Sequence, residues 1–481
     1  MRDGLVLIGL IAIVGCSDDG AGGQATDTDV SASSQPSGSG PSSGPGSMTA
    51  SSMTGDPSSG TSGPSSGDPS GDGESESGST TDGTQPTATG CDPLPPPEGE
   101  TIMIAPGDSL ADAVANAPSG STILLADGTY DVPSASYVAF RTPGVTLRSA
   151  SGDPESVILD GGYSGGSILN VVADDITIAE LTVQRATWHP IHVTGGTDSN
   201  TDNAMIYRVR VIDPGQQAIK INASVEGYYA DHGTVACSTL IMTDEGRSNV
   251  VDCYTGGIDA HLALGWSIYD NYFEGFWCAE GLSEHAVHFW NYCRDTVVER
   301  NVIVDSARGI GFGLGDGGNG TSRDYGDDPC PGASFLGHID GVIRNNTVLG
   351  ADADMFASQS GFDSGIALEQ ACGTEVLHNT IVALQQPFVS IEYRWSSTNV
   401  AIHNNLVTHS IAMRDGATAD LQGNISDMAD TSHFVDVASN DLHLAPGSAA
   451  IDAGVPTSVA EDIDGDPRDA SPDVGADEVV Q

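Results

Sequence analysis

One asparagine keeps returning at the same place in a short strand-like segment. It is seen in DNYFE (270–274), RNVIV (300–304), NNTVL (345–349), HNTIV (378–382) and HNNLV (403–407). ELTVQ (180–184) and RVRVI (208–212) share the pattern without the amide. A second set aligns beside it: HPIHVTG (189–195), QAIKINA (217–223), HAVHFWN (285–291), RGIGFGL (308–314) and SGIALEQ (364–370). Both sets alternate apolar residues with period two, as short strands do. Paired segments returning every few tens of residues predict stacked coils of β-structure rather than a single globular core. Stacking would place Asn271, Asn301, Asn346, Asn379, Asn404 and Asn424 above one another at a strand spacing of ~4.8 Å. Amides at that spacing satisfy each other as a ladder, and Asn tolerates the left-handed bend between strands. Longer spacings predict inserted loops at about 224–264 and 315–340.

DSLADAVANAPSGSTILLADGTYDV (108–132) precedes the coils. Asp108 and Ser109 can cap a helix with Leu110, Ala113, Val114 and Ala117 on its apolar face, closing the open end of the first coil. The strand that follows resembles the opening of right-handed parallel β-helix proteins of the pectin-lyase-like superfamily. Gly120, Thr122, Ile123, Leu125, Gly128 and Tyr130 match their pattern. The resemblance extends over about 101–445 and implies an all-β fold, one right-handed parallel β-helix with an N-terminal capping helix. Residues 446–481 are expected to form a C-terminal capping segment. Asp462, Asp464 and Asp466 alternate there, but Pro467 stands where an EF-hand loop needs glycine, so an end cap is expected over a metal site.

The chain begins differently. LVLIGLIAIVG (5–15) is shorter than the ~20 residues of a membrane-spanning helix and fits a secretory signal. Ile13-Val14-Gly15-Cys16 resembles a bacterial lipobox. It implies a signal over 1–16, lipidation of Cys16, export, and attachment to the cell envelope through the lipid alone. Residues 17–90 are rich in Ser, Gly, Pro, Thr and Asp, contain no Lys or Arg, and are expected to be a disordered tether. Export permits disulfides. Cys237 with Cys253, and Cys330 with Cys372, are expected pairs, with Cys91 left free.

The 481 residues carry 16 Lys+Arg against 66 Asp+Glu, a formal charge of −50. Such a chain cannot neutralise a run of phosphates, so nucleic acid is excluded as a partner. Polyanionic substrates are repelled unless a cation bridges them.

Strand alternation sorts the faces. Ile191, Ile219, Val287, Ile310 and Ile366 point inward, as do Val193, Ile221, Phe289, Phe312 and Leu368. The residues between them form outward columns. One runs His192, Lys220, His288, Gly311, Ala367; its neighbour runs Thr194, Asn222, Trp290, Gly313, Glu369. His189, Gln217, His285 and Arg308 lie near the preceding turn, with Glu284 beside them. Lys220 is the single lysine of the chain and is expected about one coil from each of His192 and His288. Lys220, His288, His192 and Arg308 are the candidate catalytic residues. Glu284, His285, Trp290, Asn222, Glu369, Glu392 and Arg394 are the candidate substrate contacts.

GLSEHAVHFWNYCRDTVVERNVIVDSARGIGFGLG (281–315) is similar to a central segment of the chondroitinase B and alginate lyase family. That resemblance implies β-elimination on a uronate polysaccharide, with a Lys base, an assisting Arg and Ca²⁺ on the substrate carboxylate. Cys293 and Gly313 stand at the Lys and Arg positions, and Glu284 approximates a calcium ligand. The expected function is a carbohydrate-active envelope protein, lyase-like, monomeric, with Lys220 or a histidine as base. No cofactor is required by the residues themselves; the resemblance allows Ca²⁺. Two alternatives are a non-catalytic glycan-binding surface protein and a glycoside hydrolase using Glu369 and Glu392 from successive coils.

Overall fold

The computed structural model describes residues 91–480 apart from 134–136, 316–320 and 429. Cys16, the signal and the 17–90 tract lie outside the described residues. Three long parallel sheets, of fourteen, ten and ten strands among the described residues, wind around one axis. Each coil gives one strand to each sheet, so a coil holds three strands where the sequence had suggested two. The third sheet is built from Val138–Phe140, Leu169–Val171, Ile191–Thr194, Gln217–Asn222, Gly256–His261, Val287–Trp290, Arg308–Phe312, Ser364–Glu369, Val389–Arg394 and Ile411–Arg414. Its inward residues are those that alternation selects: Ile191, Ile219, Val287, Ile310, Phe289 and Phe312 are fully buried.

The helix Leu110–Asn116 starts at Ser109, whose side chain accepts from the Asp112 amide, and it buries Leu110 and Val114. Asp108 does not share the cap; its carboxylate accepts from the Ala105 amide at 2.8 Å.

The amide ladder is present with one member changed. Asn271, Asn301, Asn346, Asn379, Asn405 and Asn424 are joined side chain to side chain at 2.9–3.0 Å. Asn405, not Asn404, is the fifth member. Nor does the ladder residue itself make the left-handed bend. The residue before it does: Asp270, Arg300, Asn345, His378 and Asn404 have φ between 52° and 56°. That turn aims the next amide into the stack.

The 224–264 insertion is instead a further coil. It contributes Thr234–Ala236, Thr239–Ile241 and Gly256–His261 to the three sheets. The second expected insertion is a loop: residues 313–337 carry no described strand.

Cysteine pairing also differs in part. Cys330 bonds Cys372, but Cys237 bonds Cys91 and Cys253 bonds Cys278, leaving Cys293 free and buried among the described residues. Cys91 reaches Cys237 because the segment after it runs across the coils, held by Arg208 to Cys91 O (2.6 Å) and Arg148 to Pro95 O (2.7 Å). Three disulfides suit an oxidising compartment and an exported chain. The C-terminal segment packs Phe434, Leu442, Leu444, Ala450 and Val474 against Leu349, Val382 and Leu406, on the strands Thr347–Gly350, Thr380–Ala383 and Leu406–Val407 of another of the three sheets. Asp462 holds its turn by accepting from the amides of Asp464, Asp466 and Glu478.

Candidate functional site

The third sheet carries the polar cluster on its outer face. Its register runs His192 to Lys220, Lys220 to Asp259, and Asp259 to His288. Lys220 is therefore one strand from His192 and two from His288, and Asp259 stands in the place where direct adjacency was expected. The coil spacing places the strand GGIDAH (256–261) inside an expected insertion. Yet Ile258 and Ala260 alternate as Ile219 and Ile221 do, and that was the available signal.

Asp259 is the hub. Lys220 Nζ donates to its Oδ2 at 2.5 Å, and Trp290 Nε1 donates to its Oδ1 at 2.9 Å. His261 Nε2 lies 3.2 Å from the same Oδ2 and 3.2 Å from Lys220 Nζ. Burial pushes the Asp259 carboxyl up, but Lys220, His261 and His288 outweigh it and hold it well below the usual range. Burial, reinforced by Lys220, lowers His261 against the pull of Asp259, so its ring is neutral at pH 7. Tyr254 lies beside Lys220; burial raises its phenol, which stays protonated.

His288 lies under Trp290, the rings stacked at 5.5 Å. Its Nε2 donates to Gly313 O at 3.2 Å. Its Nδ1 faces Glu284 Oε2 at 3.3 Å and Asp259 Oδ1 at 3.5 Å. Burial works to raise Glu284, and His288 reverses this, leaving its carboxyl low. His285 packs against His288 with ring centroids 4.4 Å apart. Its ring occupies the space a side chain would take at Gly311, where an added Cβ would stand 2.6 Å from His285 Nε2. Burial, then His288 and Arg308, drive His285 well below the ordinary imidazole range. Lys220, Asp259 and His288 form a buried floor, while Glu284, His261, Trp290, Asn222, His192 and Arg308 are half-exposed around it. His192 Nε2 donates to Asn222 Oδ1 at 2.6 Å. Arg308 pairs with Asp363 at 2.9 Å.

Three other candidates stand apart. Glu369 and Glu392 are not equivalent: Glu392 pairs in register with Ala367, and Glu369 with Arg394. Glu392 is held by Arg414 at 2.8 Å, and Arg394 by Asp415 at 2.5 Å. Five strand steps separate Glu392 from Lys220, about 24 Å along the axis. Sequence reasoning missed Asp259, His261 and Tyr254.

The donors do not suit calcium. Ca²⁺ takes about six to eight oxygens. Here Asp259 is committed to Lys220 and Trp290, and Glu284 has imidazoles for neighbours.

No protein-family model matches the chain, and no curated protein matches it. Among solved structures it is similar to pectate lyase Pel9A, with TM-score 0.51 and 14% identity over 79% of this chain and 97% of that one. An alginate lyase from Paenibacillus sp. str. FPU-7 gives TM-score 0.47 and 16% identity over 66% and 99%. PfbA, a surface adhesin of Streptococcus pneumoniae, gives 0.39 and 12% over 65% and 86%. At such identities the likeness is one of architecture. The chain has the right-handed parallel β-helix fold of pectin-lyase-like proteins.

Proposed function

We propose that this is an exported carbohydrate-active enzyme that cleaves a uronate-containing polysaccharide by β-elimination on the outer face of its third sheet. What carries the assignment is the convergence of an amine, a neutral imidazole and a phenol at Lys220, His261 and Tyr254. Neutral His261, 3.2 Å from Lys220 Nζ, would take the proton α to the uronate carboxylate and return it to Lys220 once Lys220 has given one up. Tyr254 donates to the leaving glycosidic oxygen and is reprotonated by Lys220, so no proton is lost. Arg308, half-exposed, would hold the substrate carboxylate, and Trp290 would pack against a sugar ring. The fold shared with a pectate lyase supports a carbohydrate substrate.

A second reading, non-catalytic glycan binding, draws on one observation: Lys220 and Asp259 already satisfy each other at 2.5 Å. Hydrolysis by Glu369 and Glu392 would have to use a diagonal pair, since the two stand in adjacent columns of neighbouring strands rather than at equivalent positions. A panel of alginate, pectate and chondroitin, with a neutral glucan as control, tests the proposal. The full chain should generate the ultraviolet absorbance of an unsaturated uronate from one of them. Folded protein that gives no absorbance on any uronate polymer overturns it. Retention in a glycan affinity gel without absorbance would support the binder.

A further inference from the structure

Glu284, His285 and His288 each direct a ligand atom toward the others, all within 4.8 Å. Neither nitrogen of His285 has a hydrogen-bond partner, although the residue is buried. An unpaired buried imidazole costs free energy unless something binds it. His288 is arranged in the same sense. A carbonyl only accepts, so the contact with Gly313 O fixes the hydrogen on Nε2. Nδ1 is then the nitrogen that faces two carboxylates, from Glu284 and Asp259. Lys220 answers the charge of Asp259, whereas Glu284 Oε2 and both His285 nitrogens have no hydrogen-bond partner among the described residues, and Nδ1 and Glu284 Oε2 are at ion-pair distance without the alignment of a hydrogen bond. Two ligands bonded to zinc at about 2.0–2.2 Å and set tetrahedrally stand roughly 3.3 Å apart, and this pair is 3.3 Å apart. An imidazole that donates its far N–H to a backbone carbonyl is also how metal-bound histidines are commonly oriented. Gly311 belongs to the arrangement, because a side chain there would evict the His285 ring.

We infer that Glu284, His285 and His288 form a binding site for a divalent transition metal of the zinc or cobalt type, with positions left open on the groove side. Two imidazoles and one carboxylate select such a metal over calcium or magnesium. The site does not depend on the lyase assignment, since it would bind metal in a chain that cleaves nothing. Binding is therefore read without any sugar.

Metal-stripped full-length chain is titrated with Co²⁺ alone. One ion per chain should bind and produce visible ligand-field absorption, and X-ray absorption at the cobalt edge should report two imidazoles and no sulfur. Excess Ca²⁺ should not displace it. Glu284→Gln, at a half-exposed position, should weaken binding by more than the roughly 10–100-fold that loss of an outer-shell partner costs. His285→Asn should abolish the visible bands. His443→Ala, in the exposed His443–Asp464 pair of the C-terminal segment, should leave them unchanged. An all-oxygen shell, displacement by Ca²⁺, or bands that survive His285→Asn but vanish in His443→Ala would overturn the inference. The edge spectrum of the parent chain decides even if a variant fails to fold.

Discussion

Lys220 and Asp259 set the terms at the scale of single residues. Both are buried, and each compensates the other's charge. Removing one partner of a buried pair costs about 3–5 kcal/mol, whereas replacing both with apolar groups is often neutral. Lys220→Met should therefore destabilise the chain by about that amount in denaturant unfolding, and Lys220→Met/Asp259→Leu should recover most of it. An unchanged stability in the single variant would mean that water reaches the pair. The double variant also separates structure from chemistry, because it should fold and still lack activity. Lys220 and His288 could be picked out from alternation alone. Asp259 was legible only through the alternation of Ile258 and Ala260, which two glycines and the small alanine blur, and one unrecognised strand turned neighbours into next-but-one residues.

The amide ladder and the C-terminal segment belong to the scale of elements. Asn346 donates to Val298 O, Arg344 O and Asn379 Oδ1, and accepts from Asn301 through both backbone and side chain. Asn346→Ala leaves several buried groups unpaired at about 1–3 kcal/mol each. The loss should be several kcal/mol, clearly larger than for Asn424→Ala, which sits half-exposed at the end of the stack; equal losses would deny that the ladder is cooperative. The ladder was legible because its spacing survives insertions. Its one error, Asn404 for Asn405, came from two adjacent asparagines that only the backbone turn distinguishes. In the C-terminal segment, His443 lies between Asp464 at 2.8 Å and Asp441 at 2.6 Å. The bond to Asp464, opposed by burial and helped by Asp441, raises it to about 10. A raised folded value means that the folded state holds the proton more tightly. The stabilisation is then complete below the ordinary imidazole value of about 6.5 and lost as pH climbs through about 10. Half-exposure keeps it under about 1 kcal/mol. The parent should melt slightly above His443→Gln at pH 6, and the gap should close in alkali. A gap that widens with pH would reverse the assignment.

At the scale of the whole molecule the chain is strongly acidic, and that governs how a charged polymer approaches it. With a formal charge of −50, the chain repels a polyuronate at low salt, and screening shortens the range from about 30 Å at 0.01 M to about 8 Å at 0.15 M. The KM for a uronate polymer should therefore fall as sodium chloride rises over that interval, with kcat little changed; a KM that rises would point to a cationic binding face. The fold was readable at this scale from repeats, but the disulfide map was not, since Cys91 meets Cys237 only after 146 residues of coiling. β-Elimination remains the central claim, and its products differ from those of hydrolysis by one water. Products formed in heavy-oxygen water should be weighed: elimination predicts an unsaturated non-reducing end and no solvent oxygen at the new reducing end. Incorporation of one heavy oxygen there would contradict it.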